Sequence, residues 1–315
     1  GARVPNGAVV LAGTGPLLYL LTVQYLKAGV KIKALVATSA RSDLMAAARY
    51  LPAALPAWEQ LFKGISLMAQ IRRAGIDWYQ GATDIQIEGK VKAQAISFTH
   101  KGAQCRVDCD LVLLHQGVVP NTHPTLSIGA EHQWDEGQVC WVTKQDQWGA
   151  LSVPGFFIAG DGAGVNGAEA AALQGRLAGL GIAISLEKLT SKAAESEAQT
   201  IRRTWEKSRC IRPRLERLYR PIQSLQLPAD DTIICRCEEV TAGAVRQYAA
   251  LGCLGPNQAK AFGRCGMGPC QGRQCGLSVT QILADARQVS PSEVGYYRIR
   301  PPLKPITLAE LANEK

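Results

Sequence analysis

Residues 8–37 read AVVLAGTGPLLYLLTVQYLKAGVKIKALVA, and this stretch decides the fold class. It opens with an apolar run, AVVLA, of the kind that forms a strand buried on both faces. A glycine-rich turn and a helical segment follow, with Pro16 at an early helical position and Gly29 just past the end. A second apolar strand begins at Lys31. This order predicts a βαβ unit that opens a nucleotide-binding domain.

The turn of this unit departs from the dinucleotide-binding fingerprint. Gly13 and Gly15 match the first two glycines, but Leu18 stands where a third would let the helix pack closely on the strand. The acidic residue that holds an adenosine ribose is also missing from the end of the second strand, which reads VAT at 36–38. Glycines at a helix N-terminus can still cradle a phosphate. We therefore predict a degenerate NAD-like domain, whose turn serves only the fold or holds another adenine nucleotide.

Strand and helix patterns continue along the chain. Residues 44–75 have a helical pattern that prolines at 52 and 56 interrupt, and three strands follow: TDIQIEG, KAQAISFTH and CRVDCDLVLLHQG. A further strand, GFFIAG, is predicted from Gly155. It leads into Asp161, a flexible GAG and a long alanine-rich helix.

Composition excludes several classes of function. The 315 residues are 47% hydrophobic, which is ample for a core, and no apolar run approaches the ~20 residues that span a bilayer. The formal charge is +9, and basic residues are densest between Ile201 and Arg220, interleaved with glutamates as on a solvated helix face. No recognised nucleic-acid-binding motif accompanies this charge, so we expect no nucleic-acid partner. The four histidines are isolated, and no general base or nucleophile stands out.

The distribution of the ten cysteines indicates a metal centre. Six of them lie between Cys235 and Cys275. A domain stabilised by disulfides would instead be short, with its cysteines spread evenly along the chain. Cys235 and Cys237 form a CxC, and two CxxxxC spacings follow one another at Cys265, Cys270 and Cys275. Spacing alone does not choose between these two. Structural zinc or uncoordinated thiols are the alternative, although zinc ribbons usually use CxxC knuckles.

A two-iron cluster needs four thiolates, held so that backbone N–H groups reach its sulfurs. Glycines near Cys270 would permit such close backbone approach, and arginines in the same segment would offset the negative charge. These residues are Gly266, Gly268, Gly272, Arg236, Arg264 and Arg273.

The cysteine segment resembles a known family. The runs CRCEEVTAGAVRQYAALGC (235–253) and GRCGMGPCQGRQC (263–275) are similar to the ferredoxin-type domain related to bacterioferritin-associated ferredoxin, in the form fused to flavoprotein subunits. In that form the pattern is CxCE followed by GMGxCQGxxC. The resemblance implies that Cys235, Cys237, Cys270 and Cys275 bind a [2Fe–2S] cluster, with Cys265 as a neighbour.

The whole chain resembles one type of subunit. It is similar to the larger subunit of opine oxidases, D-hydroxyproline dehydrogenase and hydrogen cyanide synthase, and to the alpha subunit of heteromeric sarcosine oxidase. The resemblance implies an α/β fold of the two-dinucleotide-binding-domain flavoprotein type, with its N-terminal FAD half missing from this chain, and a small helical [2Fe–2S] domain. The expected segments are a degenerate NAD-like Rossmann domain (1–119), the returning part of an FAD-binding domain (120–185), a basic helical connector (186–230), the [2Fe–2S] domain (231–289) and a Pro-rich extended tail (290–315).

Cofactors and partners are also expected from the resemblance. It implies FAD contacted by Gly160, Asp161 and Gly162, and we add FMN at a subunit interface and an adenine nucleotide at Gly13 and Gly15 as candidates. It further implies a partner FAD subunit of the D-amino-acid-oxidase kind. A small ferredoxin-like subunit, or the missing FAD half as a separate chain, is a candidate additional partner.

The favoured hypothesis is an electron-transfer subunit of a cytoplasmic complex, membrane-associated if at all through that complex, whose partner oxidises a C–N bond of an amino acid, imino acid or opine. No catalytic residue is then expected on this chain. One alternative is an NAD(P)H-dependent reductase that passes electrons through FAD to the cluster. Another is a zinc-binding module without enzymatic activity.

Overall fold

The computed structural model describes residues 5–313 and confirms a mixed α/β fold. The predicted βαβ unit is present, and prolines divide the helical run as expected. The elements up to residue 116 are β1 (Val9–Thr14), α1 (Pro16–Lys27), β2 (Ile32–Ala37), α2 (Arg41–Ala48), α3 (Leu51–Ala54), a 3₁₀ turn (Leu55–Ala57), α4 (Trp58–Arg73), β3 (Asp77–Gln80), β4 (Thr83–Glu88), β5 (Ala95–His100), β6 (Ala103–Asp108) and β7 (Leu111–Gln116).

The first sheet is parallel, with the strand order β3-β2-β1-β7. All six residues of β1 are buried, as expected for the central strand of a sheet covered on both faces. Val10 pairs with Ala34 of β2 and with Val112 of β7. The glycine-rich turn therefore lies at the carboxyl edge of the sheet, where open α/β folds bind ligands.

The prediction of one strand for CRVDCDLVLLHQG is wrong. This stretch forms β6 and β7, which lie in different sheets, because β6 belongs to an antiparallel sheet of order β4-β5-β6. The chain turns between them, where the Cys109 N–H donates to the Gln94 carbonyl at 2.9 Å. The Asp110 carboxylate then accepts from the Ala8 N–H at 2.8 Å.

The remaining elements are mostly helical. They are α5 (His123–Ser127), β8 (His132–Asp135), β9 (Cys140–Thr143), a 3₁₀ turn (Gly160–Ala163), α6 (Ala168–Ser185), α7 (Ser191–Arg209), α8 (Arg212–Leu218), α9 (Gln223–Gln226), β10 (Ile233–Cys235), β11 (Val240–Thr241), α10 (Ala242–Ala250), α11 (Pro256–Gly263), α12 (Gly276–Arg287), α13 (Pro291–Val294) and α14 (Leu308–Ala312). Helix α10 lies just before Cys253. Between α13 and α14 the Pro-rich segment forms neither helix nor strand among the residues described.

The chain divides into two compact units. The first runs to Val118 and takes in Thr204–Pro221, and the second comprises Val119–Arg203 and the residues from Ile222 onward. In the first unit, Arg217 forms an ion pair with Asp43 at 3.1 Å, which links α8 to α2. The stretch predicted as a connector, 186–230, thus contributes residues to both units.

The strand predicted at GFFIAG is wrong. Within the described residues, only Phe157 of this segment pairs with another strand position, in an isolated bridge to Ala150. Gly155 and Gly160 have φ values of +83° and +72°, which interrupt an extended chain at both ends. The Ile158 N–H donates to the Gly149 carbonyl at 2.8 Å, and the Leu151 N–H donates to the Phe156 carbonyl at 2.9 Å, so the pairing is confined to this one short contact. The segment ends in the 3₁₀ turn instead, and the predicted alanine-rich helix follows as α6.

The cysteine segment has its own core. Its buried residues come from the β10–β11 hairpin, from α10 to α13 and from the chain beyond, and they include Val245, Ile282, Leu283 and Tyr297. In residues 5–313 no helix combines the length and the apolar character that a membrane crossing requires.

Candidate metal centre

Five cysteines are placed by four structural elements of the second unit. Cys235 ends β10, and Cys237 lies in the turn of the hairpin. Cys265 follows α11, Cys270 lies in the loop after it, and Cys275 immediately precedes α12. All ten cysteines of the chain are free thiols, so no disulfide competes for these sulfurs.

Three of these thiols converge in the core. The sulfur atoms of Cys235, Cys265 and Cys275 all lie within 4.8 Å of one another. Each of the three residues is no more than 1% exposed. The Cys235 thiol donates a hydrogen bond to Cys275, whose thiol donates in turn to Cys265. The structure therefore brings together two of the four predicted ligands, and it adds Cys265 to them.

The other two predicted ligands form a pair. Cys237 is exposed and Cys270 is half-buried. The Cys237 thiol donates to the Cys270 sulfur, and the Cys270 N–H donates back to the Cys237 sulfur. The two sulfurs are therefore direct neighbours, at the exposed end of the cysteine segment.

Backbone N–H groups surround Cys270. Burial opposes ionisation of its thiol, but hydrogen bonds from the N–H groups of Gln274, Gly272 and Arg273, together with the Cys237 thiol, lower its pKa. Donors of this kind favour the thiolate, which is the form that binds metal. Backbone N–H groups of this loop therefore reach the Cys270 sulfur.

The surroundings of Cys275 shift the pKa of its thiol in the opposite direction. Its hydrogen bond to the Cys265 sulfur, followed by burial, raises its pKa well above the ordinary value for a thiol. The Cys275 thiol is thus protonated in the absence of a metal. Metal binding must displace its proton, which makes loading of such a site dependent on pH.

The glycines of the loop also pack closely against neighbouring side chains. Gly266 and Gly272 have φ values of +85° and +82°, and a Cβ on either would come within 2.6 Å of the Tyr297 ring. A Cβ on Gly268 would overlap the Cys237 side chain. These glycines therefore let the loop close over a buried tyrosine and over Cys237.

Tyr297 connects the thiols to a cavity. Its hydroxyl lies 3.9 Å from the Cys275 sulfur, and the Lys260 ammonium lies 4.9 Å from the centre of its ring. A cavity of about 900 Å³ begins at this ring. The cavity is lined by His132 and Trp141 and by a basic and aromatic set: Lys260, Tyr296, Tyr297, Arg298 and Arg300. Such a surface suits an anionic ligand with a flat ring.

The glycine-rich turn of the first unit is filled by protein atoms. A Cβ on Gly13 would overlap the carbonyl oxygen of His115, and the His115 ring lies 3.1 Å from the Cβ position of Gly15. The Nδ1 atom of the same ring lies 2.6 Å from the Thr14 carbonyl oxygen. Leu18 is buried in the core between α1 and the sheet. Packing against β7 therefore explains both glycines without a nucleotide.

The predicted flavin contacts lie in the 3₁₀ turn before α6. The Gly160 N–H donates to the Gln174 side chain at 2.8 Å, which ties the turn to α6. Asp161 is exposed, and Gly162 packs against Ile158. The three residues form one turn, but not the predicted strand end.

Comparison with known proteins identifies the family. The A subunit of an opine oxidase from Rhizobium meliloti is 40% identical over 314 residues, which cover 98% of this chain and 68% of that protein. The chain belongs to the family of opine oxidase A subunits. The corresponding protein of Agrobacterium tumefaciens is 41% identical, over 98% of this chain and 62% of its own length. The group predicted from the cysteine pattern and the segment order is confirmed.

More distant relatives agree with this membership. Hydrogen cyanide synthase subunit HcnB of Pseudomonas aeruginosa is 28% identical, over 99% of this chain and 68% of its own length. Residues 230–315 match the family model described as the sarcosine oxidase A3 domain. The crystal structure of L-proline dehydrogenase from P. horikoshii has a TM-score of 0.58 at 18% identity, covering 80% of this chain and 48% of that one. This last likeness shows a shared fold.

Sequence reasoning missed two residues of the site. The motif leaves Cys265 in the surroundings, although its CxxxxC spacing to Cys270 equals that of the next pair. Tyr297 lies beyond the recognised motif, and the double tyrosine at 296–297 before the basic RIR is its only signal.

Proposed function

We propose that this chain is the electron-transfer subunit of a heteromeric FAD-dependent dehydrogenase, whose partner oxidises a C–N bond of an amino acid, imino acid or opine. The observation that carries the proposal is the buried group of three thiols with a hydrogen-bonded pair of thiols nearby. The names of the relatives, subunits of opine oxidase and of hydrogen cyanide synthase, support it.

In this proposal Cys235, Cys237, Cys270 and Cys275 hold a [2Fe–2S] cluster. When bound, such a cluster supplies one-electron transfer. The donor set fits it, because four thiols are available and backbone N–H groups already point at the Cys270 sulfur. The chain's own residues exclude water from Cys235 and Cys275 and place the Tyr297 hydroxyl beside one of them. Hydrogen bonds and solvent exclusion of this kind tune the potential of an iron–sulfur site.

We further propose that the basic cavity receives a flavin phosphate, with FMN as the candidate. The side chains of Lys260, Arg298 and Arg300 line it, and they supply the positive charge that a phosphate needs. Tyr297 forms part of both the cavity wall and the thiol surroundings, so a ring bound there would lie near the sulfurs.

The remaining cofactor and partner assignments are part of the same proposal. FAD is assigned to the turn of Gly160, Asp161 and Gly162, whereas Gly13 and Gly15 are assigned to packing against β7 and not to an adenine nucleotide. The partner is an FAD subunit of the D-amino-acid-oxidase kind, and the complex is assigned to the cytoplasm. The segments 1–119, 120–185, 186–230, 231–289 and 290–315 stay the proposed domains.

The test is to purify the chain together with that partner and add opine, imino-acid and D-amino-acid substrates under anaerobic conditions. Under the proposal, a substrate bleaches first the flavin absorbance and then the visible absorbance of the iron–sulfur protein. A Cys105→Ala variant, changed in the antiparallel sheet, serves as the control and should behave as the unmodified complex does. Flavin bleaching with an unchanged iron–sulfur absorbance would contradict the electron-transfer role.

Zinc is the alternative that the same three thiols favour, because zinc takes thiolate ligands in a tight tetrahedron. A colourless protein with bound zinc would support it and would remove the electron-transfer proposal.

A further inference from the structure

The thiols of Cys237 and Cys265 compete for one place in the centre. The family resemblance implies the ligand set Cys235, Cys237, Cys270 and Cys275, whereas the buried group contains Cys265 with Cys235 and Cys275. Replacing Cys237 by Cys265 in the implied set would leave its other three members unchanged. Five thiols are thus candidate ligands for a centre that takes four.

The backbone directs Cys265 inward. Arg264, which caps the C-terminus of α11, has a left-handed φ of +59°, and its N–H donates to the Lys260 carbonyl at 2.9 Å. This conformation is uncommon for a residue other than glycine. It turns the chain sharply after the helix, and Cys265 enters the core with no exposed surface.

The two competing segments are tied together. The Arg264 guanidinium forms an ion pair with the Glu238 carboxylate at 2.9 Å. Arg264 directly precedes Cys265, and Glu238 directly follows Cys237. Cys237 is exposed while Cys265 is fully buried, so the two candidate thiols approach from the solvent side and from the core side, respectively.

We propose that Cys265 is a fifth, exchangeable ligand of the iron centre, able to take the coordination position of Cys237. This inference rests on the proposed [2Fe–2S] cluster. In the exchange, the Cys265 sulfur forms a bond to iron and the bond from the Cys237 sulfur breaks. The proton of the Cys265 thiol moves, directly or through water, to the departing Cys237 thiolate. No electron is transferred, and the centre keeps four thiolates throughout.

Alanine variants of the full chain, purified with its partner, test the exchange by iron content and by electron paramagnetic resonance. Cys237→Ala and Cys265→Ala should each keep iron at the unmodified level, with resonance positions that differ between them. The double variant should lose iron by about tenfold or more, since a thiolate is then missing. The matched control is Cys253→Ala, because Cys253 is equally buried in the same core but lies outside the thiol group. Loss of iron in Cys237→Ala as severe as in the double variant would overturn the proposal.

A second measurement uses the unmodified complex and so does not depend on how a variant folds. Iodoacetamide should alkylate Cys237 while the visible absorbance is retained, because Cys265 then holds the position. Absorbance lost in step with alkylation of Cys237, or Cys237 fully protected until the cluster is removed, would refute the exchange. Failure of the broader proposal looks different, since the unmodified complex would then contain no iron at all.

Discussion

The glycine-rich turn after β1 and the cysteine loop before α12 have similar backbone conformations but different surroundings. Both contain glycines with positive φ and both lead into a helix. In the first, the His115 ring and the Leu18 side chain occupy the surroundings of the turn. In the second, the sulfur atoms of Cys235, Cys265 and Cys275 converge. Backbone N–H groups point at a further sulfur, that of Cys270. A glycine-rich turn therefore indicates only the conformation of the chain. Whether the turn binds a ligand depends on the donor atoms around it.

The largest expected effect separates the two regions directly. Cys275→Ala removes a thiol from the centre of the buried group, and the bound iron should fall by about tenfold or more. Cys109→Ala, a buried cysteine of the first unit, is the control and should leave the metal content unchanged. The measurement is iron per chain together with the visible spectrum. An iron content in Cys275→Ala equal to that of the control would break the comparison.

The next effect tests the reason for the loop glycines. Gly272→Ala combines a positive φ with overlap on the Tyr297 ring, and should lower the free energy of unfolding by about 3 kcal/mol. Gly252 has a φ of +94° and open space around it in the described structure. Gly252→Ala should therefore cost only about 1 kcal/mol, from the backbone alone. Urea unfolding measures both, and equal losses would argue against the role of Tyr297.

A histidine of the second unit should make stability depend on pH. Burial, followed by the positive charges of Arg273 and Lys260, lowers the pKa of His123 to about 4. Because the unfolded chain then takes up the proton first, stability is complete above about pH 6.5 and declines as the pH falls toward 4. The expected loss between pH 7 and pH 5 is about 2 kcal/mol.

Comparison of urea unfolding at the two pH values with that of His123→Leu isolates this contribution. The variant should lose less stability on acidification than the unmodified protein, by that same amount. An identical decline in both would exclude His123 as the source.

The smallest expected effect concerns the first unit. Leu18 fills the core beside the turn, and Thr38 donates its N–H to the Gly13 carbonyl at 2.8 Å where an acidic residue would hold a ribose. NADH should therefore leave the flavin absorbance of the complex unchanged. Bleaching by one equivalent of NADH would restore the reductase alternative and remove the contrast between the two regions.

Much of the fold was predictable because local patterns agree with the tertiary structure. The apolar run at 8–12, the helix start at Pro16 and the proline breaks near Pro52 all depend on near neighbours in sequence. The prediction of a strand at 155–160 was wrong because strand formation depends on pairing with other strands. The local sequence pattern does not show whether such partners are present. The prediction of a single strand at 105–117 was wrong because the two halves of this stretch pair in different sheets.

The site was predictable to a similar extent. The motif pointed to Cys235 and Cys275, and the structure brings their sulfurs together. It did not point to Cys265, since that sulfur reaches the group only through the left-handed turn at Arg264. Nor did it point to Tyr297, which contacts the loop glycines from more than twenty residues along the chain.

The identity of the metal that these sulfurs bind decides most directly whether the chain transfers electrons. Metal analysis of the complex, combined with low-temperature electron paramagnetic resonance after dithionite reduction, measures it. The account predicts about two irons per chain and a paramagnetic signal that appears on reduction. One zinc per chain, with no visible absorbance from iron and no signal, would contradict it.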